Sequence, residues 1–198
     1  EAVLYRDFVS QYMTGGGKLS NLVFVVLWHD GKQIQKFDRV MKFSHFCDDK
    51  NSRSQDSYYV ADVWAWFLDK STTTDNNYSG FLERNGIHTL YVSGDHGPHF
   101  SSIETMYLES TFWSQYGVRM FLFFLCSYHA FNRCDGAGLE SKNIHQQLIE
   151  ERKALPLGAD VCDHLNKSEY HNAVGTYFDK INRGNNVFDA ELVKDDHL

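Results

Sequence analysis

Three aspartates, far apart along the chain, have the types and positions to share one chemistry. Asp7 lies in an alternating apolar–polar run, Val3 to Tyr12 (VLYRDFVSQY), on the same face as Val3, Tyr5 and Val9. Asp95 follows a short buried-type run, Ile87 to Val92, in the turn Ser93-Gly94-Asp95. Asp135 comes soon after the apolar run Val118 to Leu125, near the start of a helical stretch. A carboxylate between apolar strand neighbours must be exposed at an edge, paired, or bound to a cation. Carboxylates that converge repel one another and stay ionised only if a cation neutralises them. Oxygen ligands suit hard divalent ions, Mg²⁺ or Mn²⁺. Two such ions about 3.5–4 Å apart stabilise the attacking and leaving oxygens of an in-line phosphoryl transfer. Singly, each acid has a plainer reading: Asp7 as an edge residue, Asp95 as a turn residue beside glycine, Asp135 as a helix cap before Gly136. Together they point to a metal-dependent phosphodiester chemistry.

The elements that must position them follow from periodicity. Val3 to Tyr12 reads as a strand ended by Thr14-Gly15-Gly16-Gly17. Leu19 to Trp28 is a second strand, closed by the hairpin dipeptide Asp30-Gly31, and Gln33 to Phe43 a third. The polar stretch Asp48 to Asp56 is a loop. Ser57 to Leu68 carries a helical stripe (Val60, Val63, Trp64, Phe67, Leu68) with Asp56 or Ser57 as its cap. After the loop Ser71 to Gly80 come a fourth strand (Ile87 to Val92), a helix (Ser101 to Tyr116, capped by Ser101 or Ser102), a fifth strand (Val118 to Leu125) and a helix from Asn132 to Lys153. Beyond Pro156 the pattern is loops plus one helix near Leu165 to Ile181, with the stripe Tyr170, Val174, Tyr177 and Phe178. The expected order is β-β-β-α-β-α-β-α. The aromatic residues Trp64, Trp66, Trp113, Phe121, Phe123 and Phe124 are read as core packing.

Composition bounds the answer. At 198 residues, with 42% hydrophobic and 15% aromatic content, the chain can build a sizeable core. Its net charge of -7 excludes the simplest nucleic-acid signal, a uniformly basic domain, but not a local basic path. Arg119, Lys142, Arg152 and Lys153 are candidates for that path, although basic residues on a helix are ordinarily a solvated face. Four scattered cysteines without a CxxC argue against a disulfide framework and for a reduced, intracellular chain. The N-terminus lacks signal-peptide features and an initiator Met, so the chain is expected to be cut from a longer protein. The longest apolar run falls far short of the ~20 residues of a membrane span.

The segments around the acids carry a resemblance. YRDFVSQY around Asp7, VSGDHGPHF around Asp95 and SYHAFNRCDGAGLESK around Asp135 resemble the catalytic domain of DDE-type transposases and integrases of the ribonuclease H-like superfamily, as found in eukaryotic cut-and-paste elements and genes derived from them. The GDHGPHF segment is similar to the strand-four Asp-x-Gly-x-x-Phe of integrases. The third segment is similar to a His-x-x-x-x-Cys-Asp-x-x-Gly signature of transposase-derived proteins. The resemblance implies an α/β ribonuclease H-like fold with a mixed five-stranded sheet, three antiparallel strands then parallel ones, flanked by helices. It divides the chain into a catalytic domain, residues 1–155, and a C-terminal helical extension, 156–198. It implies cleavage and joining of DNA strands in the nucleus, with Asp7, Asp95 and Asp135 holding two Mg²⁺ or Mn²⁺ ions. Glu140 is the alternative third acid, since many relatives use Glu. His129 and Asn132 would orient the phosphate or a metal-bound water, and His96 and His99 could play a similar part. DNA is the implied partner, with a homo-oligomer left open.

Other readings compete. Cys126, His129, Cys134 and His145 offer zinc-type ligands at a spacing that matches no standard finger. Cys134 or Ser127 beside His129 could serve nucleophilic catalysis, though no Gly-x-Ser-x-Gly elbow is present. A domesticated relic that binds nucleic acid or protein without catalysis is the non-enzyme alternative.

Overall fold

In a computed structural model of the chain, residues 1–9, 11–12, 18–29, 39–47, 55–68, 80–125, 133–152, 157–168, 172–179 and 181 are described. Their strands are β1 (Ala2–Phe8), β2 (Gln11–Tyr12), β3 (Lys18–Trp28), β4 (Arg39–Cys47), β5 (Thr89–Asp95), β6 (Arg119–Leu125) and β7 (Ala173–Phe178). The helices are α1 (Ser57–Leu68), α2 (Phe81–Arg84), α3 (Pro98–Ser101), α4 (Ile103–Ser110), α5 (Phe112–Tyr116), α6 (Arg133–Arg152) and α7 (Gly158–Lys167). The sheet runs β6-β5-β1-β3-β4-β7, with β2 paired to β3 off the main path. β1 and β4 each run antiparallel to β3 between them, β5 is parallel to β1, and β6 is parallel to β5. Three antiparallel strands followed by helix-connected parallel ones make the mixed, ribonuclease H-like sheet that the element order predicts.

The pleat sorts side chains onto two faces. Ala2 and Leu4 of β1, Leu22, Phe24 and Val26 of β3, Phe43 of β4, and Leu90 and Val92 of β5 point to one side. There they bury against Val60, Val63, Trp64 and Phe67 of α1 and against Phe100 and Phe112. Full burial of such side chains contributes about 1.5–3 kcal/mol each. On the other face α6 packs on β1, β3 and β4, and α7 packs on β4 and β7.

The boundaries differ from the sequence pattern where tertiary contacts intervene. The first strand stops at Phe8, although Val9 N–H still donates to Asn21 O at 2.8 Å. α1 spans the expected residues, and Asp56 Oδ1 accepts from Tyr59 N–H at 3.0 Å as its cap. The third strand extends through Cys47 rather than ending at Phe43, and residues 33–38 of that expectation lie outside the described ones. The single helix expected over Ser101 to Tyr116 is two short helices, α4 and α5, preceded by α3, which ends at Ser101. Ser102 is extended there and caps α4 by accepting from Thr105 N–H at 3.1 Å.

The C-terminal expectation is corrected more fundamentally. Among the described residues, no helix spans Leu165 to Ile181. α7 ends at Lys167, and Ala173–Phe178 forms β7 parallel to β4, so the main path has six strands rather than five. Val174 joins the α1-side core while Ala173 and Tyr177 join the α7-side cluster, a period of two rather than 3.6. At Gly175 the outer edge of β7 is paired by a side chain. Gly175 N–H donates to Asn166 Oδ1 at 2.7 Å, and Asn166 Nδ2 donates to Gly175 O at 3.0 Å. Asn166 thus supplies the pairing that a next strand would give, which protects an otherwise sticky edge.

Candidate active site

Parallel pairing brings the first two acids level. Arg6 of β1 is in register with Gly94 of β5, so Asp7 and Asp95 stand one residue further on, at neighbouring C-terminal strand ends. Both lie on the α6 face of the sheet, because each follows a residue on the opposite face.

Asp135 reaches this edge through the packing of the first turns of α6. Cys134 Sγ lies 3.5 Å from the carbonyl of Val23, to which it donates, and Val23 is the β3 partner of Asp7. Cys134 and Ala137 are buried with Val9, Val23 and Val25. One turn on, Gly138 sits so close to β1 that a Cβ there would lie 2.5 Å from Val9 Cγ1. A glycine is required for this approach, and the approach sets Asp135 beside the strand ends.

The charges register the convergence. Asp7 is raised from 3.8 to about 6, by burial first, then by the neighbouring charge of Asp95 and, more weakly, that of Asp135. The backbone N–H of Phe8 and the charge of His99 act the other way. Asp95 is held below the usual carboxylate range, chiefly by the imidazole of His99 and also by the Gly97 N–H, which donates to Oδ1 at 3.2 Å. His99 Nε2 is 3.6 Å from Asp95 Oδ1, an ion-pair distance longer than a hydrogen bond. The ring of His99 is held edge-on against Phe8 and Phe100, at 4.6 and 4.3 Å between centroids. Gly97 leaves room for it, since a Cβ would fall 2.6 Å from His99 Cε1. Two adjacent carboxyls are therefore pushed apart in pKa: Asp95 stays ionised, while Asp7 takes up a proton as pH falls through about 6 unless a cation offsets its neighbours.

The remaining candidates fall out differently. Glu140 forms an ion pair with Lys42 of β4 instead of facing the strand ends. His96 is exposed, edge-on to Phe124 at 5.3 Å. His129 and Asn132, with Cys126 and Ser127, lie outside the described residues. Cys134 is a buried thiol bonded to backbone, and His145 is buried on α6. Among the described residues, no cluster of three His, Cys, Asp or Glu side chains is set closely enough to cage a metal ion. The donor chemistry nonetheless fits a divalent ion: three carboxylates, one desolvated and repelled by the others, around an ion that keeps several waters and takes only one or two protein carboxylates directly.

One element of the site gave no clear sequence signal. Arg6, next to Asp7, points to the opposite face and is fully buried. It pairs with Glu109 of α4 and lies over the Phe100 ring at 4.4 Å. Glu109 Oε1 also accepts from Trp64 Nε1 at 3.0 Å. The charge of Arg6 contributes to holding Asp95 low. In the sequence, Arg6 reads as an ordinary polar position of an alternating strand, and its partner is on an element that only the fold brings near.

These features define a ribonuclease H-like α/β protein with acids gathered at the C-terminal ends of neighbouring parallel strands. No family model matches the chain, and no curated protein matches it. Among solved structures it is similar to the catalytic core domain of BIV integrase, with a TM-score of 0.41 and 11% identity over 84% of each chain. It is also similar to a chain of the simian T-cell lymphotropic virus intasome in complex with PP2A regulatory subunit B56 gamma, with a TM-score of 0.40 and 12% identity, over 87% of this chain and 51% of that one. Among the described residues no helix is long and apolar enough to cross a membrane.

Proposed function

We propose that this protein is a divalent-metal-dependent polynucleotidyl transferase of the transposase or integrase type, cutting and joining DNA strands, and that its work is nuclear. The observation that carries the reading is the register of β1 and β5, which sets Asp7 and Asp95 side by side at neighbouring strand ends, with the charge of Asp135 near enough to raise Asp7. Acids from three separated segments sharing one edge are costly to keep charged, and a cation relieves that cost. Asp7 and Asp95 would hold Mg²⁺ or Mn²⁺ with Asp135 as third ligand. When bound, such ions activate a water or 3′-hydroxyl and stabilise the leaving oxygen. The chain's own part is to fix the carboxylates. β1 and β5 hold two of them in register, α6 delivers the third, and His99 with the Gly97 N–H orients Asp95 and keeps it ionised.

Nicking of labelled DNA in Mg²⁺ or Mn²⁺ tests the reading. Wild type should cleave, and Asp95→Ala should abolish cleavage. Cleavage unchanged by that substitution would remove Asp95 from the site. One observation favours a second reading, a catalytically inactive transposase-derived module that binds nucleic acid or protein: the described residues form no ready-made metal cage. DNA binding without cleavage in either metal would support it.

A further inference from the structure

The helices that cover the acid-bearing face stop halfway across it. Among the described residues, α6 and α7 pack on β1, β3, β4 and β7, and neither packs extensively on the β5–β6 half. Three of the side chains standing there are aromatic. Tyr91 of β5 is in register with Phe121 of β6, and Ser93 with Phe123. Phe121 is 42% exposed and Phe123 is 54% exposed. Both were expected in the core from sequence, as was Trp113, which is 59% exposed. The ring of Tyr91 is stacked with that of Phe121 at 5.2 Å and 14°, and lies 6.4 Å and 30° from that of Phe123. Tyr91 and Phe121 are stacked and Phe123 is tilted beside Tyr91, and this ring grouping is what distinguishes the face from a random apolar patch.

Its position relative to the acids is fixed by register. β5 pairs Asp95 with Leu125, Ser93 with Phe123, Tyr91 with Phe121 and Thr89 with Arg119. At about 6.6 Å per two residues, the aromatic rows lie one and two steps from the carboxylate, and Arg119 lies three. Arg119 is exposed, with its guanidinium over the Trp113 ring at 5.2 Å. The line from Asp95 therefore reads acid, aromatic, aromatic, cation. A nucleic-acid strand presents the complementary order: a phosphate that a metal-loaded acid site can hold, flat bases that extend a ring stack, and a further phosphate for a guanidinium.

We propose that the Tyr91–Phe121–Phe123 surface is a base-stacking platform for an unpaired DNA segment flanking the phosphate at the acids. This rests on the polynucleotidyl-transfer reading for its direction along the strand. It differs from that reading in needing no metal for binding. Stacking is tolerant of sequence, so the platform selects strand state rather than sequence: frayed or single-stranded ends over paired duplex.

The test is fluorescence anisotropy of the intact chain in EDTA. The probes are a labelled mixed-sequence single strand, the same strand with abasic sites through its middle, and a blunt duplex. Wild type should bind the single strand at least several-fold tighter than the abasic strand or the duplex. Phe121→Ala/Phe123→Ala should weaken single-strand binding about ten-fold or more, without lowering the melting temperature. Phe121→Leu/Phe123→Leu keeps the apolar bulk, guards against a folding artefact, and should show most of the same loss. Equal affinity for intact and abasic strands, or unchanged affinity in both double variants, would overturn the platform. So would self-association of wild type that the Leu variant abolishes, since the face would then be an interface between copies. Nicking in Mn²⁺ is measured separately. Loss of nicking with intact stacking sinks the catalytic reading alone, and the reverse sinks the platform alone.

Discussion

The guanidinium of Arg6 is clasped by the carboxylate of Glu109 beneath the sheet, on the side opposite Asp7, its neighbour in sequence. Consecutive residues of one strand thus serve two purposes, because the pleat sends them to opposite faces. Arg6 anchors α4 against β1 in the core, and Asp7 joins the acids. The pair is completely buried, and Trp64 shares the same Glu109 oxygen. A buried ion pair contributes little net stability when intact but is expensive to break. Glu109→Ala should therefore destabilise the protein by about 3–5 kcal/mol in urea melts. The paired replacement Arg6→Met/Glu109→Leu should recover most of that loss. If Glu109→Ala melts like wild type, the clasp is not holding α4.

Asp7 should make the metal-free protein less stable at neutral pH. Its folded value is about 6 against 3.8 unfolded, so the native state binds the extra proton. That contribution is full below 3.8 and is lost as pH rises through 6. Without divalent ions, Asp7→Asn should melt higher than wild type at pH 7.5, with the gap closing toward pH 4. Mn²⁺ at pH 7.5 should raise the melting temperature of wild type more than that of the variant. Identical melting with and without Mn²⁺ in both proteins would argue against a cation at this residue.

His45 should limit stability in acid. Its ring is fully buried among Phe24, Phe43, Trp66 and Phe178, and burial lowers its pKa from 6.5 to about 3. The unfolded chain takes a proton that the folded one refuses. Stability is thus full above 6.5 and falls as pH drops from there toward 3. His45→Phe should flatten this part of the pH–stability curve. An unchanged slope would mean that other groups govern acid unfolding.

Gly136 and Gly138, two residues apart on α6, should respond oppositely to alanine. At Gly136 an added Cβ meets nothing within 4 Å, so Gly136→Ala should stabilise by up to about 1 kcal/mol through helix propensity. At Gly138 it would collide with Val9, so Gly138→Ala should cost roughly 1–3 kcal/mol. It should also lower any Mn²⁺-dependent nicking more than its stability loss explains, because α6 must move away from β1 and take Asp135 with it. Equal behaviour of the two variants in thermal melts would contradict the close packing of this helix.

Much of this protein was written locally. The alternation of Val3, Tyr5, Asp7 and Val9 put the acid on its strand and face, and the stripe of Val60, Val63, Trp64 and Phe67 with the Asp56 cap set α1 to the residue. Such features rest on steric preferences and caps within a few residues, which any reader of the sequence can reach. What the fold alone decided depends on contacts between distant segments. The partner of Arg6, the pairing of Glu140 with Lys42, and the conversion of Ala173–Phe178 from an apparent helix into β7 all followed from docking. So did the exposure of Phe121 and Phe123. Their residue types announce burial, and the sequence could not say that α6 and α7 would stop short of β5 and β6. Apolar character is a property of a side chain, but burial is a property of whatever else arrives to cover it.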